Sequence, residues 1–255
     1  MRKVFLVVER DVRLFFQYKA MVIMRAIWFV SQIVFFGLIA SRMVIIADYF
    51  RYYVGGLATM TLYSAAVFIG FDIYEEAEHG VFEYLLSLPV SRKELVLGRS
   101  IGGGLRAFIY VGALICISLY VIGVANPLNL ILALFSLFLF AFGVSGMSIT
   151  LAVAIKSSDR FDILMGVLDA LVVRLSTAMY PLNIVKEANP FYGWIANFNP
   201  LTYASELFRW GAGVEAVLTF ENPLLPLLGI VLFFAFFTFV GIVLYDKRIE
   251  GGGWQ

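Results

Sequence analysis

Six stretches of the chain, about 20–41, 52–71, 100–124, 128–155, 162–181 and 224–245, are almost wholly apolar. Crossing roughly 30 Å of hydrocarbon takes about 20 such residues in a helix, the simplest form in which a backbone satisfies its own hydrogen bonds without water. A chain with 62% hydrophobic and 15% charged residues cannot hide that surface in a water-facing core, since even a 300-residue globule leaves roughly a quarter of its unfolded-chain surface exposed. The expected fold is an all-α membrane protein of six transmembrane helices, with 1–255 forming a single transmembrane domain.

An even number of spans puts both termini on one side, and basic residues decide which side. Twelve of the 19 Lys and Arg fall in 1–19, 72–99, 156–160 and 247–248, whereas 42–51 and 182–222 hold only Arg42, Arg51, Lys186 and Arg209. The first set is therefore expected on the cytoplasmic side of the cell membrane. No cleavable leader is expected, because the charged stretch from Arg2 to Lys19 is too long for one and no small-residue cleavage site follows. In 1–19, Arg2, Lys3, Glu9, Arg10, Arg13 and Gln17 share one helical arc, with Val4, Val8, Val12, Phe15 and Phe16 opposite. This predicts an interfacial helix, either a shoulder for a cytoplasmic partner or an anchor on anionic lipid, with Asp11 and Lys19 on the wrong face.

The net charge of +1 gives no electrostatic footprint for nucleic acid. Cys116 stands alone in an apolar run, so neither an internal disulfide nor a multi-cysteine metal site is expected. Catalytic signatures are missing as well. The only histidine, His79, lies in a loop, Gly143-Val144-Ser145-Gly146-Met147 lacks the last glycine of a nucleophile elbow, and Gly102-Gly103-Gly104 is followed by no Gly-Lys-Ser/Thr. No catalytic residue, metal or cofactor is expected in this chain. Gly98 with Gly102, and Gly143 with Gly146, have spacings that let membrane helices approach closely.

Two polar segments carry the remaining information. In 72–99, the residues from about Tyr74 to Leu88 read as one helix ended by Pro89, and Ser91 with Glu94 forms a capping box for a second helix running into the third span. The segment 182–222, with Pro190, Phe191, Tyr192, Trp194, Phe198, Pro200, Tyr203, Phe208 and Trp210, is too aromatic for a flexible loop and predicts short re-entrant helices at headgroup level.

Within the spans, Arg25, Arg106, Asp169 and Arg174 are ionisable and hence functional suspects. Arg106 and Asp169 lie at similar depth, which suggests a pair across the third and fifth spans; snorkelling is the alternative for Arg25 and Arg106. Asp162, Gly166, Asp169, Val173, Ser176 and Tyr180 form a narrow stripe on the fifth span, readable as the wall of a path or as a hydrogen-bonded helix contact.

The run from Glu78 to Arg99, with Gly80, Glu83, Leu85, Leu86, Pro89, Ser91, Arg92 and Leu95, resembles the first cytoplasmic loop of ABC-2 type transporter permeases. Asn199-Pro200-Leu201-Thr202-Tyr203 followed by Arg209 resembles that family's second signature. The resemblance implies an exporter subunit whose loop helix docks into a separate ABC ATPase, which binds ATP and Mg, beside a second permease copy or paralogue. Glu75, Glu76, Glu78 and Glu83 would then face a basic rim and Phe82, Leu85 and Leu86 supply the apolar anchor, while Asn199, Pro200 and Tyr203 belong to an outer cap. An ATP-independent carrier or channel, or a membrane scaffold, is the alternative.

Overall fold

The computed structural model describes residues 2–15, 19–43, 48–214, 220 and 222–248. These are overwhelmingly helical. α1 (Arg2–Phe15) is followed by α2 (Lys19–Ser31), a π-helical stretch (Gln32–Gly37) and α3 (Leu38–Met43), which form one unbroken helical run. α4 (Tyr49–Val67) and α5 (Ile69–Glu78) come next, then α6 (Val81–Ser87), α7 (Arg92–Ile122), α8 (Pro127–Ile155) and α9 (Ser158–Arg174). The chain continues through the short α10 (Leu182–Ala188), α11 (Pro190–Phe198) and α12 (Pro200–Ala212) to α13 (Leu224–Arg248).

Four helical runs among the described residues are long and apolar enough to cross a membrane: Tyr49–Glu78, Arg92–Ile122, Pro127–Ile155 and Leu224–Tyr245. They match the second, third, fourth and sixth expected spans. The first is interrupted by its π-helical stretch. The fifth, expected to reach 181, leaves the helix at Leu175, so Ser176 and Tyr180 do not continue a stripe on α9.

Local chemistry explains most helix starts. Ser91 and Glu94 cap each other reciprocally at the start of α7. Asn-Pro recurs at 126, 189, 199 and 222, and each time the Asn side chain accepts the N–H two residues on, at 2.9–3.0 Å. Proline supplies a preset φ where no N–H is needed, so the pair is a ready helix start.

α4 is the central pillar. The apolar window of the α4–α5 run is 83% buried against 11% for that of Leu224–Tyr245 in α13, which leaves most of α13 exposed. α4 bends into α5 at Phe68, where the carbonyls of Ala66 and Val67 accept hydrogen bonds from Ser145 and Ser148 of α8. Side-chain hydroxyls that satisfy backbone freed at a bend also join the helices. Thr150 of α8 similarly reaches the Phe237 carbonyl of α13 at 3.3 Å. Gly143 lies against Phe233 and Phe234 of α13, and Gly146 near Phe237 and Thr238. Gly98 and Gly102 instead make room for α1.

A methyl group added at Gly56 of α4 would drive into the carbonyl oxygen of Ala178, whereas one at Gly112 of α7 would meet open space. Gly56→Ala is expected to destabilise by about 1–3 kcal/mol or more, while Gly112→Ala is neutral or stabilising by up to about 1 kcal/mol through helix propensity. Thermal unfolding of the two variants in one detergent checks the difference in direction.

Candidate functional site

The site is built from charges, and its first part lies where α1, α5 and α7 meet. Arg99, in the second turn of α7, has no exposed surface. It is covered because Gly98 and Gly102 flank it and let α1 lie against α7: a Cβ at Gly98 would come within 2.7 Å of Val7, and one at Gly102 within 3.0 Å of Asp11. Arg99 Nη1 sits 2.5 Å from Glu76 Oε2 on α5. The other oxygen of Glu76 accepts from Arg10 Nη2 at 2.5 Å, and Arg10 Nη1 donates to Asp11 Oδ1 at 3.1 Å. Two further ties complete the joint: Arg106 of α7 pairs with Asp72 of α5 at 2.6 Å, and Lys3 of α1 donates to the Pro89 carbonyl in the turn before α7.

Asp11 is nearly as buried as Arg99, and its Oδ2 has no hydrogen-bond partner. Burial raises its pKa from 3.8 to about 6; the guanidinium groups of Arg99 and Arg10 pull the other way without winning. A cavity of about 390 Å³ opens beside it, lined among others by Arg10, Asp72, Glu76, His79 and Arg106. Among the described residues no group of three or more His, Cys, Asp or Glu is placed to hold a metal ion.

The second part lies at the other end of the α4–α5 run, roughly 36 Å away along the helix at 1.5 Å per residue from Tyr52 to Glu76. The buried Arg209 of α12 donates from Nε to the Tyr52 carbonyl at 3.1 Å, from Nη1 to that of Thr177 at 3.0 Å and from Nη2 to that of Ala178 at 2.6 Å. Its guanidinium lies 3.5 Å from the centroid of the Tyr52 ring. Glu206, one turn earlier on α12, is 3.6 Å from Arg209 and accepts from the Thr177 hydroxyl at 2.9 Å. Asn199 caps α12 with its oxygen and donates with its nitrogen to the carbonyls of Val172 and Leu175 at the end of α9. The non-helical chain from Leu175 to Tyr180 is thus held by side chains from α12, which meets the demand that irregular backbone in a membrane protein be buried and satisfied.

These positions correct several expectations. The helix expected from Tyr74 to Leu88 is broken at His79 and Gly80, where Gly80 takes φ +68°, so its first half belongs to α5. Phe82 and Leu85 point inward and cannot anchor a partner; the Phe82 ring lies 6.0 Å from that of Tyr245 in α13. Glu76 is also turned inward, onto the arginines. Glu75, Glu78, Gly80, Glu83 and Pro89 are exposed, together with Tyr84 and Ser87, while Leu86 and Arg92 are half-buried. Arg106 pairs with Asp72 rather than with Asp169, which instead accepts from Ser64 of α4 at 3.2 Å. Ser176 is buried and bonds locally to the Val173 carbonyl and the Ala178 N–H. Arg174 is exposed in the last turn of α9, where a cation suits the helix dipole. Tyr203 donates to the Asn197 carbonyl at 2.6 Å, and its ring faces Gly229 of α13. The side chain of Arg25 lies outside the described residues.

Sequence reasoning passed over Asp11, Arg99, Asp72, Tyr52, Thr177 and Glu206. Asp11 had a signal, a charge in the apolar arc of an amphipathic helix, and so did Glu206 with Arg209, opposite charges three residues apart in an apolar context.

With both signatures now placed, one at the α5–α6–α7 joint and the other at the α12 fastener, the comparisons with known proteins decide the family. The profile of the ABC-2 type transporter family matches residues 2–212. The chain belongs to the ABC-2 type transporter family. Comparison with curated proteins gives no match. It is accordingly a transmembrane permease of the ABC type, and the matched region contains both charged fasteners.

In this permease Glu76 is the carboxylate that Arg99 contacts. Glu76→Leu leaves that guanidinium buried without its partner and is expected to cost about 3–5 kcal/mol. Adding Arg99→Met removes the orphaned charge and is expected to recover most of the loss. Unfolding titrations of the single and double variants in detergent measure both.

Proposed function

We propose that this permease is the membrane half of an exporter in the cytoplasmic membrane. It spans the bilayer six times with both termini in the cytoplasm, and acts beside a second copy or a paralogue above separate ATPase subunits that bind ATP and Mg. The single observation that carries the proposal is the surface of the α5–α6 joint. Glu75, Glu78, Glu83, Tyr84 and Ser87 face outward there, on helices seated from within by Phe82, Leu85 and the Glu76 ion pairs.

Such a surface suits mechanical coupling. A partner that pushes on α6 acts on α5, and α5 leads into the most deeply buried helix of the bundle. The charges fit a basic groove rim, and Tyr84, 64% exposed, replaces Phe82 as the aromatic contact. The excess of Lys and Arg in the segments on this side supports its cytoplasmic placement. The two interrupted spans support a six-crossing topology, since the run from Lys19 to Met43 stays helical throughout and α9 is prolonged by the buried segment that α12 holds. On this reading α10 to α12 form an outer cap, and Asp162, Gly166 and Asp169, exposed on α9, contribute to the wall of the path.

Co-purification with the ATPase subunit tests the reading. Glu83→Arg, a charge reversal on an exposed residue, is expected to lower ATPase recovery about tenfold, equivalent to about 1.4 kcal/mol, with insertion of the permease unchanged. A cysteine placed at Ser87 is expected to react with a membrane-impermeant reagent only from the cytoplasmic side. Undiminished recovery, or labelling from outside, would reject the docking surface.

A further inference from the structure

Around α1 both Arg10 and Arg99 pair with Glu76, and the buried carboxyl of Asp11 is left with a single tie, to Arg10. Asp11 sits under α1 against Gly102 of α7, with one oxygen on Arg10 and the other without a hydrogen-bond partner. Arg99, a buried cation whose charge also acts on Asp11, lies 2.5 Å from Glu76. The groups facing Asp11 are Arg10 on α1, Asp72, Glu75, Glu76 and His79 at the end of α5, and Arg99 and Arg106 on α7, with Tyr245 of α13 behind Arg99. The cavity beside it connects this cluster to solvent, so protons can enter and leave.

We infer that the Asp11 carboxyl is a proton-binding site that sets how firmly α1 is seated on α5 and α7. With the proton on, the carboxyl is neutral and α1 rests on Gly98 and Gly102 with its ties intact. With the proton off, a buried carboxylate with one unmatched oxygen opposes the seating. α1 then lifts more readily, taking Arg10 off Glu76 and Lys3 off Pro89, and so loosens the joint between α5, α6 and α7.

The sign follows from linkage. In the seated helix burial holds the Asp11 pKa at about 6, above the 3.8 of a solvated carboxyl, so the seated state binds the proton more tightly. Acid therefore strengthens seating, and the gain is lost as pH rises through about 6. Between about pH 7.5 and about pH 5 the ratio of seated to lifted α1 is expected to rise about tenfold.

The test uses the full chain in lipid nanodiscs, with spin labels on cysteines replacing the exposed Phe5 of α1 and Ser87 of α6 and with the exposed Cys116 changed to Ala. Distance distributions are recorded between about pH 7.5 and about pH 5. The wild-type chain is expected to gain seated population on acidification, with a midpoint near the titration of Asp11. Asp11→Asn, which imitates the neutral carboxyl, is expected to stay seated throughout, and His79→Gln, which removes the cavity's imidazole, is expected to follow wild type. A wild-type distribution that does not respond to pH overturns the inference. So does a response that survives Asp11→Asn or vanishes in His79→Gln.

Discussion

A guanidinium with no exposed surface must be matched where it lies, and in this permease Glu76 matches Arg99. The pairing is costly to break and only modestly favourable to form, because desolvation of both ions offsets most of their attraction. Its value is therefore geometric. Glu76 can face Arg99 only if α5 runs alongside α7, and Arg10 can reach the second oxygen of Glu76 only if α1 lies in the trough made by Gly98 and Gly102. Three helices from separate parts of the chain are brought into register by one carboxylate.

The same helical run ends in a second charged fastener. Tyr52 sits under Arg209 at one end and Glu76 beside Arg99 at the other, so the α4–α5 run is fixed at both ends. The two fasteners differ in kind. Arg99 and Glu76 exchange charge for charge, whereas Arg209 spends most of its donors on backbone carbonyls and holds chain that would otherwise lack partners. That run joins the α5–α6 end to the segment between α9 and α12 as one rod. The bend at Phe68, held by hydroxyls from α8, is the one interruption in that rod.

Much of this architecture was legible in the residues. The second, third, fourth and sixth spans and the Ser91–Glu94 box are local signals that form as read, and the Asn-Pro starts are equally local signals that the reading passed over. The endings of helices were less legible because they are settled by distant partners. α9 stops at Arg174 rather than continuing through Tyr180 where Asn199 and Arg209, more than 20 residues on in the chain, capture its last carbonyls and those that follow. Phe82 and Leu85 looked like an exposed anchor because their spacing suits any apolar surface, and nothing local distinguishes a partner from the α13 end of the same chain. Asp11 scored as a fault in the amphipathic pattern of α1, although a charge in an apolar arc is also what a buried ionic partner looks like.

The outer face of α9 bears on how the permease works. Ile163, Val167 and Leu171 are exposed there as lipid would allow, but Asp162, Gly166 and Asp169 are exposed on the same helix. An aspartate turned toward hydrocarbon is costly, and for Asp169 a single hydroxyl from Ser64 at 3.2 Å offsets only part of that. Water or protein on that side removes the penalty, and hydrocarbon does not. On the proposed reading of α9 as part of a path wall, water along the path would accommodate Asp162 and Asp169 while lipid accommodates Ile163, Val167 and Leu171.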